Sequence, residues 1–316
     1  MFDIFITALI EVALLVAMAI PGFLIRKFKM IGDGAVSTLV VVLLYVGQPF
    51  LTINSFLKCR FNPEMLVNMA IVFGCSIVFF IVLYFIALPS FRSARDEDKR
   101  RIFIALSLFS NVGFMGLPVM EALFPSQPEI VAYTTVFSLG SNIMNWTLCA
   151  YIVSGDKKAI SIKHALLNPA VITMAIALPL FLFNVKFPAE INDFITSFAV
   201  IVSPLSMMVL GIRLADMKLA PIFTSPWLYL SAFIKLIVSP LLMFAVIFAV
   251  DMIVDVPAQL AAVLIVVFAM PTAHKVLSFA ELYKKDGILA AQGTMLTTIL
   301  SVITIPLVKL LVEVFV

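Results

Sequence analysis

The chain has 316 residues, of which 63% are hydrophobic and 12% charged, and its formal net charge is +3. Soluble domains are about 45–50% apolar and about 25% charged, so this composition excludes a soluble globular protein and predicts a polytopic membrane protein. The basic residues fall mainly in loops and do not indicate nucleic-acid binding. Cys59, Cys75 and Cys149 form no metal or redox motif, and no disulfide is expected.

Apolar runs of about 20 residues or more predict transmembrane helices, and the chain contains ten of them. The predicted fold class is therefore an all-α polytopic membrane protein with short connections, of which the longest polar loop is expected at Phe91–Arg101. The ten runs cover residues 3–25, 34–57, 65–90, 102–124, 129–153, 165–184, 190–212, 225–250, 257–281 and 287–315.

The distribution of lysine and arginine between loops predicts the orientation of the chain. The odd-numbered loops, with Arg213 and Lys218 counted in the seventh, carry 15 basic residues, whereas the even-numbered loops carry only Lys58, Arg60 and Lys186. Because cytoplasmic loops are enriched in Lys and Arg, the odd-numbered loops are expected in the cytoplasm and both termini outside.

Matching residues in the two halves of the chain indicate an inverted repeat. Polar residues on one face of the fifth helix recur on the tenth with an offset of 156 residues, and prolines of earlier helices recur at offsets of 155 and 158. Five helices per half would place the second half upside down, with 1–155 as the first repeat and 156–316 as the second. The matched sets are Ser138, Ser141, Asn142 and Asn145 with Thr294, Thr297, Thr298 and Ser301, Pro49 with Pro204, and Pro21 with Pro179.

Two apolar helices are interrupted at equivalent positions, over Ser110–Pro118 and Ala269–Lys275. Irregular backbone at membrane depth is tolerated only where protein or a cavity surrounds it, and paired interruptions are typical of the binding site of a secondary transporter. Half-helix N-termini there would attract an anion, and C-termini a cation. The alternative is that the prolines only kink two ordinary helices. The candidate substrate-binding residues are Asn111, Gly113, Met115, Gly116, Pro118, Pro271, Thr272, His274, Lys275, Gln48, Asn142 and Asn145.

Charged residues inside the predicted helices need a reason, because a charge at the bilayer centre costs at least about 2.5–3.5 kcal/mol. Lys275 would either neutralise a carboxylate substrate or extend to an interface. His274 would either carry a coupling proton or be a neutral, hydrogen-bonded residue. Lys235 is expected to bind half-helix carbonyls or an acid, in a structural or coupling role. Glu11 would be either a protonation site or part of a subunit contact.

The sequence resembles the auxin efflux carrier superfamily in its bacterial branch. Asn111–Pro118 is similar to the fourth-helix signature of that family, Met270–Ala273 and Thr297–Pro306 to its ninth and tenth helices, and Gln48–Phe50 to its second. The resemblance implies a PIN-like fold in which helices 1, 2, 6 and 7 form a scaffold and often a dimer contact. Helices 3–5 and 8–10 would form a moving domain with crossing broken helices four and nine.

The resemblance also implies a carrier of small organic anions, such as malonate, malate or auxin-like acids, that works by an elevator-type motion in the plasma membrane. His274-Lys275 departs from the family pattern, and a lysine there could replace a bound cation. The expected partners are the anion, a coupling proton or sodium, the lipid bilayer and a second copy of the chain. No enzyme motif, cofactor or metal is expected. The alternatives are a sodium-coupled carrier of the same fold and a membrane-embedded metabolite sensor without transport.

Overall fold

The computed structural model describes residues 2–32, 34–216 and 225–315, so the predicted loop residue Lys218 lies outside the described residues. All regular secondary structure in these ranges is helical. Eight helices are long and apolar enough to cross a membrane. They are α1 (Phe5–Lys27), α2 (Ala35–Lys58), α3 (Pro63–Ser90), α5 (Pro128–Ser154), α6 (Lys157–Leu182), α7 (Ala189–Asp216), α8 (Pro226–Asp251) and α10 (Gly287–Phe315).

Four shorter helices occupy the places of the fourth and ninth predicted helices. They form two pairs, α4a (Glu97–Leu108) with α4b (Val112–Leu123), and α9a (Ala258–Phe268) with α9b (His274–Leu282). The predicted first interruption was too long, since the helix already resumes at Val112. Gly113, Met115, Gly116 and Pro118 therefore lie within α4b rather than in a non-helical segment.

Two predicted loop boundaries are also wrong. The polar loop expected at Phe91–Arg101 ends early, because the side chain of Asp96 accepts a hydrogen bond from the Lys99 amide and starts α4a at Glu97. The seventh helix continues past residue 212 to Asp216, which makes Arg213 a helical residue.

Wide helical turns precede prolines in α2, α4b and α8. Wide π-helical turns cover Leu43–Gly47, Val112–Gly116 and Ile234–Val238. Each ends two residues before a proline, and proline both lacks an N–H and clashes with the carbonyl four residues earlier. The wide turns leave candidate residues Gln48, Gly113 and Lys235 at or beside these irregular positions. A fourth such turn, Asn145–Cys149, has no proline after it.

Helices α1 and α7 are in direct backbone contact. A Cβ atom on Gly22 would lie less than 3.0 Å from the carbonyl oxygen of Met208, and one on Gly211 equally close to that of Ala19. Only glycine permits this approach at both positions. Helix α2 packs on both α6 and α7, so α1, α2, α6 and α7 form one continuous packed group.

An aromatic cluster fills the space behind the two broken helices. The rings of Phe80 and Phe109 stack at 5.3 Å, and those of Phe137 and Phe268 meet edge to face at 5.0 Å. All four side chains are fully buried. Because Phe109 and Phe268 are the residues next to the breaks, this cluster anchors both interruptions to α3 and α5.

The contact between α1 and α7 predicts a strong effect of a single methyl group. Gly211→Ala should lower the apparent melting temperature of the purified protein, since the backbones must separate and overpacking costs about 1–3 kcal/mol. Gly74→Ala is the matched control, because nothing lies within 4 Å of its added Cβ. That variant should melt at the same temperature or slightly higher, given the better helix propensity of alanine. Equal melting of both variants would contradict the close contact.

Candidate functional site

The two helix breaks meet and pair with each other. Ser110 and Thr272 form an isolated antiparallel bridge. The amide of Asn111 donates to the carbonyl of Pro271 at 2.8 Å, and the amide of Ala273 donates to the carbonyl of Phe109 at 2.8 Å. Backbone groups released by the breaks thus satisfy one another in the buried interior, where unpaired groups would be costly. We call this paired region, residues 109–111 and 269–273, the crossing.

Side chains satisfy further backbone groups at the crossing. The Thr272 hydroxyl donates to the carbonyl of Leu106 in the last turn of α4a, at 2.6 Å. The Thr272 amide donates to the hydroxyl of Thr297 on α10, at 3.1 Å. Thr272 is fully buried, so it supports the crossing from behind. The other hydroxyl residues of the matched set on α10, Thr294, Thr298 and Ser301, are buried as well, and none of them lines the cavity described below.

Lys235 is a fully buried cation at the same point. From α8, its Nζ donates to the hydroxyl of Ser110 at 2.8 Å and to the carbonyl of Phe268, the last residue of α9a, at 2.9 Å. The expected half-helix carbonyl is therefore among its partners. A cation at a helix C-terminus compensates the partial negative charge of the free carbonyls.

A cavity of about 520 Å³ lies on the other side of the crossing, between α2, α5 and α9b. Seven of the candidate substrate-binding residues line it, whereas Met115, Gly116, Pro118, Pro271 and Thr272 do not and are buried around the crossing. The seven lining candidates are Gln48, Asn111, Gly113, Asn142, Asn145, His274 and Lys275.

Lys275 projects into the cavity from the first turn of α9b. Its Nζ donates a hydrogen bond to the side-chain oxygen of Asn142 on α5. It also lies 5.8 Å from the centre of the Trp146 ring, within the range of a cation–π interaction. Both partners are neutral, so the positive charge of Lys275 remains available to an anion.

His274, the first residue of α9b, is buried with 9% of its surface exposed. Its Nδ1 has no hydrogen-bond partner among the described residues, and its ring meets that of Phe114 at 6.2 Å. A side-chain amide oxygen of the cavity wall, Oδ1 of Asn145, is likewise buried without a partner. Unpaired polar atoms of this kind are expected where a ligand or water completes the site.

The sequence analysis missed two lining residues by assigning them to loops. Arg213 lies in the last turn of α7 and faces the cavity. The apolar residues after it, Leu214 and Ala215, were the available signal that the helix continues. His164 lies in a short helix, Ile162–Leu166, ahead of the regular part of α6, and stacks on Trp146 at 4.9 Å. No local pattern marks His164 as a cavity residue.

Glu11 is not among the residues that line the cavity. It is half-buried on α1, in the electrostatic range of Lys309 on α10. The Lys309 amine donates to Glu313 and lies 3.6 Å from the centre of the Phe124 ring. Glu11 thus belongs to a separate charge cluster between α1 and α10, and its role as a protonation site or subunit contact stays a prediction.

Comparison with known proteins identifies the class to which this arrangement belongs. Residues 5–309 match the family described as "Membrane transport protein". The chain belongs to this family. The match confirms the resemblance to the auxin efflux carrier superfamily and covers both broken helices. No curated protein matches the sequence. The family is one of transporters rather than enzymes.

The crossing predicts a disulfide between two engineered cysteines. Ser110 and Thr272 occupy a non-hydrogen-bonded antiparallel pair, in which the Cα atoms lie about 4.5 Å apart, a separation that a disulfide can bridge. With Cys59, Cys75 and Cys149 replaced by alanine, Ser110→Cys/Thr272→Cys should form an intramolecular disulfide under oxidation. The measurement is protection of both thiols from a maleimide–polyethylene glycol reagent after denaturation. Each single variant serves as a control and should stay fully reactive; a reactive double variant would exclude the paired crossing.

Proposed function

We propose that the protein is a secondary transporter of small organic anions, carboxylates such as malonate, malate or auxin-like acids, with the substrate bound in the 520 Å³ cavity. The observation that carries the proposal is the charge of the cavity wall. The described lining residues include the cations Lys275 and Arg213 and no aspartate or glutamate. A cavity with cations and without acids favours an anionic ligand.

The helix ends at the crossing support the same charge preference. The carbonyl ends of α4a and α9a already have donors, from Thr272 and Lys235 respectively. The N-terminal ends of α4b and α9b face the cavity through Gly113 and His274. Because a helix N-terminus carries a partial positive charge, both exposed ends favour a carboxylate.

The proposed mechanism is an elevator-type motion of a protein with ten transmembrane helices in two inverted repeats. The packed group of α1, α2, α6 and α7 would be the scaffold, and α3–α5 with α8–α10 the moving domain. The cavity lies between walls from both groups, as such a motion needs. It reaches His164 and Leu282, next to loops rich in basic residues, and in the proposed orientation this end faces the cytoplasm. We propose a homodimer in the plasma membrane.

One contact bears on the sodium-coupled alternative. The Ser110 hydroxyl and the Phe268 carbonyl could contribute to a cation site, but the amine of Lys235 already binds both oxygens. A tethered ammonium group thus replaces a free ion at this point, which favours coupling to a proton or facilitated transport over sodium coupling there.

The binding test uses the purified protein with mono- and dicarboxylates, with and without sodium. Carboxylates that bind the native state should raise the melting temperature. Lys275→Gln should weaken their affinity about ten- to one-hundred-fold, because a charge-assisted hydrogen bond contributes about 1.5–3 kcal/mol. Lys284→Gln, an exposed loop change of the same charge, is the matched control. Unchanged affinity in Lys275→Gln would remove Lys275 from the site, and binding without flux in vesicles would favour the sensor.

The proposed orientation is tested at the C-terminus. A reporter that is active only in the cytoplasm, fused after the last residue, should be inactive, since the basic loops would hold that end outside. The same reporter inserted in the loop between α3 and α4a, which carries Arg92 and Arg95, should be active. Activity at the C-terminus would overturn the proposed topology.

A further inference from the structure

The Nε atom of Arg213, a cation in the cavity wall, is a buried hydrogen-bond donor without a partner among the described residues. The guanidinium group as a whole is partly exposed, forms no direct ion pair with a described residue, and lies in the electrostatic range of Glu281. The nearest acid along its helix, Asp216, binds Arg26 instead. A buried N–H donor without a partner is costly, and an oxygen atom of a bound anion would satisfy it.

A narrow recess beside the main cavity brings Arg213 next to His274. The recess has a volume of about 10 Å³ and is lined by both residues together with Asn111, Phe114 and Met115. That volume admits one water-sized group, such as an oxygen of a carboxylate, and not a whole substrate. His274 is nine-tenths buried, its Nδ1 has no partner among the described residues, and it is the first residue of α9b.

These groups together form the chemistry of a carboxylate site. A guanidinium group offers two parallel N–H donors to a carboxylate, an imidazole can offer a third donor, and a helix N-terminus adds partial positive charge. Lys275, by contrast, already has Asn142 and Trp146 as neighbours. Arg213 is therefore the cation of the cavity that still has an unsatisfied buried donor.

Arg213 and Lys275 belong to different walls of the cavity. Arg213 is on α7, which the close approach of Gly22 and Gly211 fixes against α1. Lys275 is on α9b, directly after the crossing. Arg213 also lines a wide groove of about 1020 Å³ at the same end of the molecule, so it lies where the groove meets the cavity.

We propose that Arg213, with His274, binds the carboxylate of the substrate only while the site faces the cytoplasm. The inference rests on the transport function proposed above. When α9b moves relative to α7, Lys275 travels with the substrate, whereas Arg213 stays behind on the scaffold. Arg213 therefore increases the affinity for the anion on the cytoplasmic side alone, and Lys275 on both sides.

The test measures affinity separately from each face. Membrane vesicles of both orientations, containing the full-length protein, are assayed for uptake of malonate and indole-3-acetate, with malonamide and indole-3-acetamide as neutral competitors. Arg213→Gln should raise the half-saturation concentration about ten- to one-hundred-fold from the cytoplasmic face and less than about two-fold from the outer face. The half-saturation concentration of Arg213→Lys from the cytoplasmic face should lie between those of the wild type and Arg213→Gln, because lysine keeps the charge and loses the bidentate geometry.

Two controls separate this inference from the proposed function. Lys275→Gln should raise the half-saturation concentration from both faces. Arg95→Gln, which changes an exposed loop arginine, should raise it from neither face. Normal transport from the outer face shows that Arg213→Gln is folded. Three outcomes would overturn the inference: equal effects of Arg213→Gln on both faces, no effect on either face, or loss of all transport in both Arg213 variants. In each case the Lys275→Gln result would still support a carrier. Wild-type protein that moves neither anion would overturn the proposed function and this inference together.

Discussion

A polypeptide that interrupts two helices inside an apolar environment has to satisfy the released backbone groups without water. Each unsatisfied group costs several kcal/mol in hydrocarbon. The crossing meets this constraint by pairing the two breaks with each other, through the amides of Asn111 and Ala273. Because each break supplies the partner of the other, neither half of the chain could build this region alone. His274 and Lys275 come directly after this pairing, which therefore helps to position them at the cavity.

The crossing also separates the two kinds of helix end. Its carbonyl ends are covered by a buried amine, that of Lys235, and by the hydroxyl of Thr272. Its amide ends remain on the cavity side, where Gly113 and His274 line the wall. The backbone thus presents positive partial charge to the cavity, and the side chains add cations to it. This arrangement gives a physical reason for expecting anions rather than cations in the cavity.

Stiff and irregular packing occur in different parts of the protein. Helices α1 and α7 touch backbone to backbone through Gly22 and Gly211, which leaves little room for relative motion. The wide turn of α2 before Pro49 places Gln48 at the cavity, where its amide donates to the carbonyl of Gly113 at 2.7 Å. A side-chain hydrogen bond of this kind, unlike a backbone contact, can break and reform, as the proposed elevator-type motion would require.

The sequence by itself determined the membrane class, seven of the eight long helices to within a few residues, and the two interruptions, which contain Asn111 and Pro271. These features are local: hydropathy, proline and charge can be read within one helix length. The 156-residue offset further predicted that the interruptions correspond. The prediction of helix bounds from sequence failed where a helix end was polar, as at Glu97 and Arg213, because a charged residue in a first or last turn resembles a loop residue.

Only the tertiary structure decided which side chains share a cavity. The matched polar residues on α5 and α10 have the same spacing along their helices. Asn142 and Asn145 on α5 nevertheless line the cavity, whereas Thr297 on α10 supports the crossing from behind. Arg213 and His274 are 61 residues apart in sequence and line one recess, and Lys235 reaches Phe268 across 33 residues. Which face of a helix meets a cavity depends on how distant helices pack, and no pattern within a single helix contains that information.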